Sequence, residues 1–156
     1  TSMKVKIPGN ERQYGGAASD GNMTTCRFAV STNAAGAVVG TNTTAPLAAA
    51  DVIDLGPLQE GFTLEDAQLV VQAPIGGGSI KLGFVYEDGE DHPAVPQDDD
   101  YFGVFAGGTA ARVRSVGTQV PVPLPKAARL IATLAGATVA GGKAMFIVIG
   151  EQTGPL

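Results

Sequence analysis

The residues that could do chemistry are few. The chain has 156 residues, with one histidine, one cysteine and no tryptophan. The histidine, His92, lies in the run YEDGEDHPAVPQDDDY. A base at His92 beside Asp91 is conceivable in chemical terms, but one histidine cannot build a multi-histidine metal centre. The expectation is a solvent-exposed loop histidine. The same stretch carries Glu87, Asp88, Glu90, Asp91, Asp98, Asp99 and Asp100. Oxygen-rich loops can hold calcium through six to eight ligands, yet the spacing lacks the alternating acidic pattern of a helix-loop-helix calcium loop. A solvated acidic loop is expected, with no metal and no cofactor. Paired carboxylates also serve glycoside hydrolysis, but that chemistry needs a sugar cleft, usually aromatic-walled, and aromatic residues are scarce.

The nucleophiles are equally isolated. The serines Ser2, Ser19, Ser31, Ser79 and Ser115 stand in no Gly-x-Ser-x-Gly elbow. A triad would have to use His92, and nothing in the sequence positions it. Cys26 alternates with polar neighbours on what reads as an apolar strand face, so it is expected as a small core residue. Gly76–Gly78 lacks the Gly-x-x-x-x-Gly-Lys pattern of a phosphate loop and reads as a turn. No catalytic residue and no enzyme are expected.

The elements that carry these residues are strands. Helical periodicity is nearly absent; the Ala-rich patches at 45–50 and 127–128 are cut by Pro46 and Pro125 and predict single turns at most. Residues 23–31 place Cys26, Phe28 and Val30 on one face and Thr25, Arg27 and Ser31 on the other. Residues 66–73 and 79–87 also alternate, and the Gly-rich link at 74–78 predicts a β-hairpin between them. Shorter candidates are 37–41, 51–55, 101–105, 111–116, 119–124 and 128–134. The run VPVPLP at 120–125 can only be an edge strand or an extended connector, because each proline removes a ladder donor. Residues 143–150 are apolar on both faces, as in a central strand covered on both sides or a strand buried by a partner. Nine or ten short strands with frequent turns predict an all-β domain, a single β-sandwich of jelly-roll type over residues 22–156.

Residues 1–21 differ. Lys4–Ile7 alternates briefly, and then Pro8, Gly9, Gly15, Gly16 and Gly21 interrupt any element. An extended N-terminal arm is expected here, able to reach roughly 70 Å at about 3.4 Å per residue. Lys4, Lys6, Ile7, Arg12 and Tyr14 on this arm are candidate interface residues. So are Arg112 and Arg114, which share one face of a short strand and could meet a partner's carboxylates.

Composition narrows the partners. The net charge is −5 and charged residues make up 16%. That balance disfavours loose attraction to nucleic acid or anionic lipid. No basic patch with interleaved aromatics occurs, and no apolar run reaches the roughly 18 residues that span a membrane. A lone cysteine fits a reducing compartment.

Four segments together resemble a known class: DVIDLGPLQEGFTLEDAQLVVQ (51–72), SIKLGFVYEDGED (79–91), DDDYFGVFAG (98–107) and ARLIATLAGATVAGGKAMFIVIG (128–150). Their order and spacing resemble the small β-sandwich virion proteins of tailed phages, the capsid decoration (cement) and related head proteins. The resemblance covers residues 51–150. It implies a non-enzymatic structural protein, a homodimer or homotrimer bound to the major capsid protein lattice. Its place would be the virion, assembled in the host cytoplasm. The competing expectation is a glycan-binding or fibre-associated module, whose aromatic platform would have to come from Tyr86, Tyr101 and Phe102.

Overall fold

The computed structural model describes residues 2–8 and 23–152. They contain nine strands and no α-helix: β1 (Lys4–Lys6), β2 (Met23–Ser31), β3 (Val52–Leu58), β4 (Phe62–Ala73), β5 (Ser79–Tyr86), β6 (Val104–Ala106), β7 (Ala111–Arg114), β8 (Ala128–Leu134) and β9 (Lys143–Gln152). The first sheet has the order β1-β3-β8-β5-β6 and the second β2-β9-β4-β7. All pairings are antiparallel except that of β1 with β3.

The alternating sequence explains the burial. In the second sheet Phe28 sits opposite Phe146 and Val30 opposite Ala144. Leu69 and Val71 of β4 point to the same side. In the first sheet Ile53, Leu55, Ile80, Leu82, Phe84, Leu130 and Ala132 turn inward. These side chains join in one hydrophobic cluster drawn from both sheets. Burying each large apolar side chain stabilises the fold by about 1.5–3 kcal/mol, so a shared core of this kind needs no disulfide or metal.

Two expectations are corrected. Residues 66–73 and 79–87 do not form a hairpin: β4 lies in the second sheet and β5 in the first. The link at 74–78 crosses between the sheets, with Gly78 at φ +80°. Alternation tells which face of a strand is dry; it does not tell which of two facing sheets the strand joins. The second correction concerns 37–41 and 119–124, which form no strands. Each contributes one isolated bridge, Thr32 with Val38 and Thr63 with Pro123. The proline-rich run is thus an extended connector.

The strand at 128–134 is found with the expected limits, and β9 runs on to Gln152 as the central strand between β2 and β4. At the other end, Lys4–Lys6 is an edge strand of the chain's own first sheet. Val5 and Ile7 are buried in the core. Arg12 and Tyr14 lie outside the described residues.

Candidate interaction surfaces

The acidic stretch after β5 is a built loop. Tyr86, at the end of β5, is buried, and its hydroxyl donates to the Val95 carbonyl at 2.5 Å. The Tyr86 amide donates to Gln97 Oε1 at 2.8 Å. Asp91 Oδ1 accepts from the backbone amides of His92 and Gln97 at 2.8 and 2.7 Å. The Asp91 carboxylate therefore ties the loop together through backbone amides. His92 lies in the loop but is half-buried rather than solvent-exposed, because its ring packs edge-on to Tyr86 with centroids 6.3 Å apart. Lys126 reaches over the other part of this loop. Its ammonium donates to both Asp88 carboxylate oxygens and stands 4.7 Å from the centre of the Tyr86 ring.

Beyond the loop, residues 98–103 run back along β5. Phe84 and Asp98 exchange backbone hydrogen bonds, and Phe102 donates to Leu82. Gly83 makes this approach feasible: a Cβ there would lie 2.1 Å from the Asp98 carbonyl oxygen. The carboxylates of Asp98, Asp99 and Asp100 come within 4.8 Å of one another, the one such group among the described residues. Three oxygens are half of what calcium takes.

The electrostatics of the loop run in opposite directions. The Asp91 carboxyl is held below the usual carboxylate range by the Gln97 and His92 amides. The Asp98 carboxyl is raised, first by its hydrogen bond with Asp100 and then by burial. A depressed carboxylate adds stability above its unfolded value, and that stability disappears as pH falls. A raised one does the reverse, helping only at low pH and losing that contribution as pH rises. Asp91→Asn is therefore expected to lower the melting temperature near neutrality. The gap to wild type should close below about pH 4, where free aspartate itself protonates. Asp98→Asn keeps an acceptor oxygen and is expected to raise the neutral melting temperature. Melting curves across pH check both; a gap for Asp91→Asn that widens in acid would reverse the assignment.

The aromatic platform a glycan-binding module requires is absent at its expected place. Tyr86, Tyr101 and Phe102 are 2%, 8% and 2% exposed. Tyr101 and Tyr86 both stack edge-on against Phe84, and Tyr101 also against Phe102, inside the core. Cys26 packs against the core as expected, and burial pushes its thiol up, away from the reactive thiolate.

The candidate interface residues fall in two places. Arg112 and Arg114 lie on β7, at the edge of the second sheet, and both engage β4. Arg112 donates to Gln68 at 2.7 Å, and Arg114 pairs with Asp66 at 2.7 Å. Lys4 and Lys6 lie on β1, at one edge of the first sheet, and with Pro8 and Asn42 line an open depression of about 420 Å³. Lys4 approaches Asp54 at 3.7 Å. Asp54 is fully buried, and Arg129 Nε reaches its two oxygens at 3.0 and 3.2 Å. This buried pair was not singled out in the sequence, since its partners stand 75 residues apart. The segment from β6 to β8 exposes Val104, Val116 and Val120.

No protein-family model matches the sequence, and no curated protein does. A solved structure does match over almost the whole chain. It is a chain from the capsid of Ralstonia phage GP4, with a TM-score of 0.66 at 20% identity. The alignment covers 96% of this chain and 98% of that one. The two chains share a fold. At this identity the likeness speaks of backbone architecture alone, and the chains are nearly coextensive.

Proposed function

We propose that the protein is a non-enzymatic virion structural protein, a capsid decoration (cement) protein that binds an assembled phage head and stabilises it. The observation that carries this reading is the near-complete match of fold to a phage capsid chain. The sequence resemblance over residues 51–150 points the same way and was drawn from different features. The aromatic residues a glycan platform would need are buried, which weighs against that alternative.

We read the fold as a jelly-roll sandwich. Setting β1 aside, consecutive strands alternate between sheets except at β5 and β6, and the two four-stranded orders are β3-β8-β5-β6 and β2-β9-β4-β7. That is the double Greek-key order. In this reading Lys4–Lys6 belongs to the sandwich body as β1, and the segment from there to residue 21 carries Arg12 and Tyr14 as candidate contacts between subunits. The subunit acts as a homodimer or homotrimer on the major capsid protein lattice. It resides in the virion after assembly in the host cytoplasm, without nucleic acid, membrane or cofactor.

The mechanism is physical. Each bound copy bridges neighbouring shell subunits, so expansion or rupture must break added contacts. Identical weak contacts gain through multivalency. The test uses undecorated phage shells of the cognate virus. Adding the purified protein is expected to give saturable co-sedimentation and a higher shell melting temperature. Unchanged melting at saturating protein would overturn the proposal.

A further inference from the structure

β1 stands apart from the rest of the sandwich. It is three residues long and makes the one parallel pairing among the described strands. Both four-stranded orders are complete without it. Yet its seat is built for it. Val5 and Ile7 enter the core. The Met3 amide donates to Asp51 Oδ1 at 2.6 Å, and the Met3 carbonyl accepts from the Val52 amide at 3.0 Å. Lys4 stands 3.7 Å from Asp54. Asp51 and Asp54 are themselves buried. The seat thus holds an extended segment by backbone pairing and by alternate apolar side chains, the plan of strand addition at a sheet edge.

The tether behind β1 is longer than the fold needs. β1 runs parallel to β3, and Met23 sits opposite Glu151, which in turn pairs with Thr63. Pro8 and Met23 therefore both lie toward the end of the sandwich where β3 turns into β4. Facing sheets are about 10 Å apart. Three other crossings between these sheets are residues 59–61, 74–78 and 107–110, three to five residues each. Between Pro8 and Met23 there are fourteen. At about 3.4 Å per residue that length can reach roughly 48 Å. A domain of this size is roughly 40 Å across.

We infer that the seat beside β3 is an exchange site: it takes Met3–Ile7 of a second copy in place of the chain's own, so that neighbouring copies are tied by swapped β1 strands. The occupant is fixed by the seat, because the segment that fits it already lies in it. Exchange breaks and remakes identical contacts, which makes it a low-cost route to association. Concentration then decides the outcome. A short flexible tether holds β1 near its own seat at an effective concentration on the order of mM. In dilute solution the chain's own strand therefore wins. One neighbour inside a sphere of roughly 48 Å radius amounts to about 3 mM. On a crowded array the two occupants compete on even terms.

The inference goes beyond the decoration role and is tested on the full chain alone, so the two proposals fail separately. The test traps β1 by a disulfide in a Cys26→Ser background. Lys4 and Val52 are paired residues of β1 and β3. Neighbouring strands lie about 4.8 Å apart, inside the Cα range that a disulfide spans. Chains with Lys4→Cys alone and chains with Val52→Cys alone are mixed and treated with oxidised glutathione, at about 20 μM and at about 2 mM. A disulfide-linked heterodimer, identified by intact mass, is expected at the higher concentration. It should form at least about tenfold faster than in a control mixture where Val120→Cys, at an exposed site outside the seat, replaces Val52→Cys. The double variant Lys4→Cys/Val52→Cys should close within one chain at the lower concentration, which checks the register. No excess over the control at the higher concentration overturns the inference. A double variant that fails to close does so too, since β1 would then not occupy the seat.

Discussion

Asp54→Leu is expected to cost about 3–5 kcal/mol of folding stability, the usual penalty when one partner of a buried ion pair is removed. Asp54 on β3 is fully buried, and Arg129 on β8 is nearly so. Without the carboxylate, the nearly buried guanidinium loses the counter-charge that stands 3.0 Å from it. For a chain of this length each kcal/mol lowers the melting temperature by about 2–4 °C, so a fall of roughly 6–20 °C is expected. Arg129→Met should cost less, because Lys4 stands 3.7 Å from Asp54 and is half-exposed, able to follow the charge. The double variant Asp54→Leu/Arg129→Met should recover much of the loss, since isosteric apolar replacement of a whole pair is often near neutral. Thermal melts of the three variants form a double-mutant cycle. Additive losses would mean that the pair is not coupled.

The second large effect is at Gly83. A methyl group there would stand 2.1 Å from the Asp98 carbonyl oxygen and 2.4 Å from the Asp99 carbonyl carbon. Those are backbone atoms, which cannot swing aside as a side-chain tip can. Gly83→Ala must therefore push residues 98–103 off β5, breaking the paired bonds between Phe84 and Asp98. Overpacking of this kind costs about 1–3 kcal/mol, and the lost hydrogen bonds add about 1 kcal/mol each. Faster hydrogen exchange at Phe84 and Asp98 should accompany the lower melting temperature. Wild-type exchange rates in the variant would show that the segment does not rest on this glycine.

Both sites show what a sequence can and cannot disclose. In DVIDL, Asp54 looks like one more wet-face residue, because its burial depends on Arg129 far along the chain. Gly83 inside SIKLGFVY looks like a weak point in a strand, when it is the place where another segment crosses. Strand limits were legible where alternation was clean and flanked by turns, as for residues 128–134. They blurred at bulges. β4 begins at Phe62 rather than at residue 66, because a register shift between Leu64 and Asp66 breaks the alternating phase. Tyr101 and Phe102 suggested a strand by composition, but Tyr101 packs edge-on against Phe84 and Phe102, and the chain turns at Gly103, where φ is +94°. Arg112 and Arg114 do share one exposed face of β7. Their partners on β4 were hidden, since that pairing joins strands more than forty residues apart.

The central position of β9 bears on how the polypeptide is made. Its neighbours β2 and β4 do not touch each other and are joined only through it. While Lys143–Gln152 is still inside the ribosome, the second sheet cannot close, and Phe28 and Leu69 wait without Phe146 between them. The second sheet therefore closes only once its last strand is available, and slowly, as for other architectures dominated by distant pairings. A chain without β9 would leave the apolar faces of β2 and β4 unpaired and prone to aggregate.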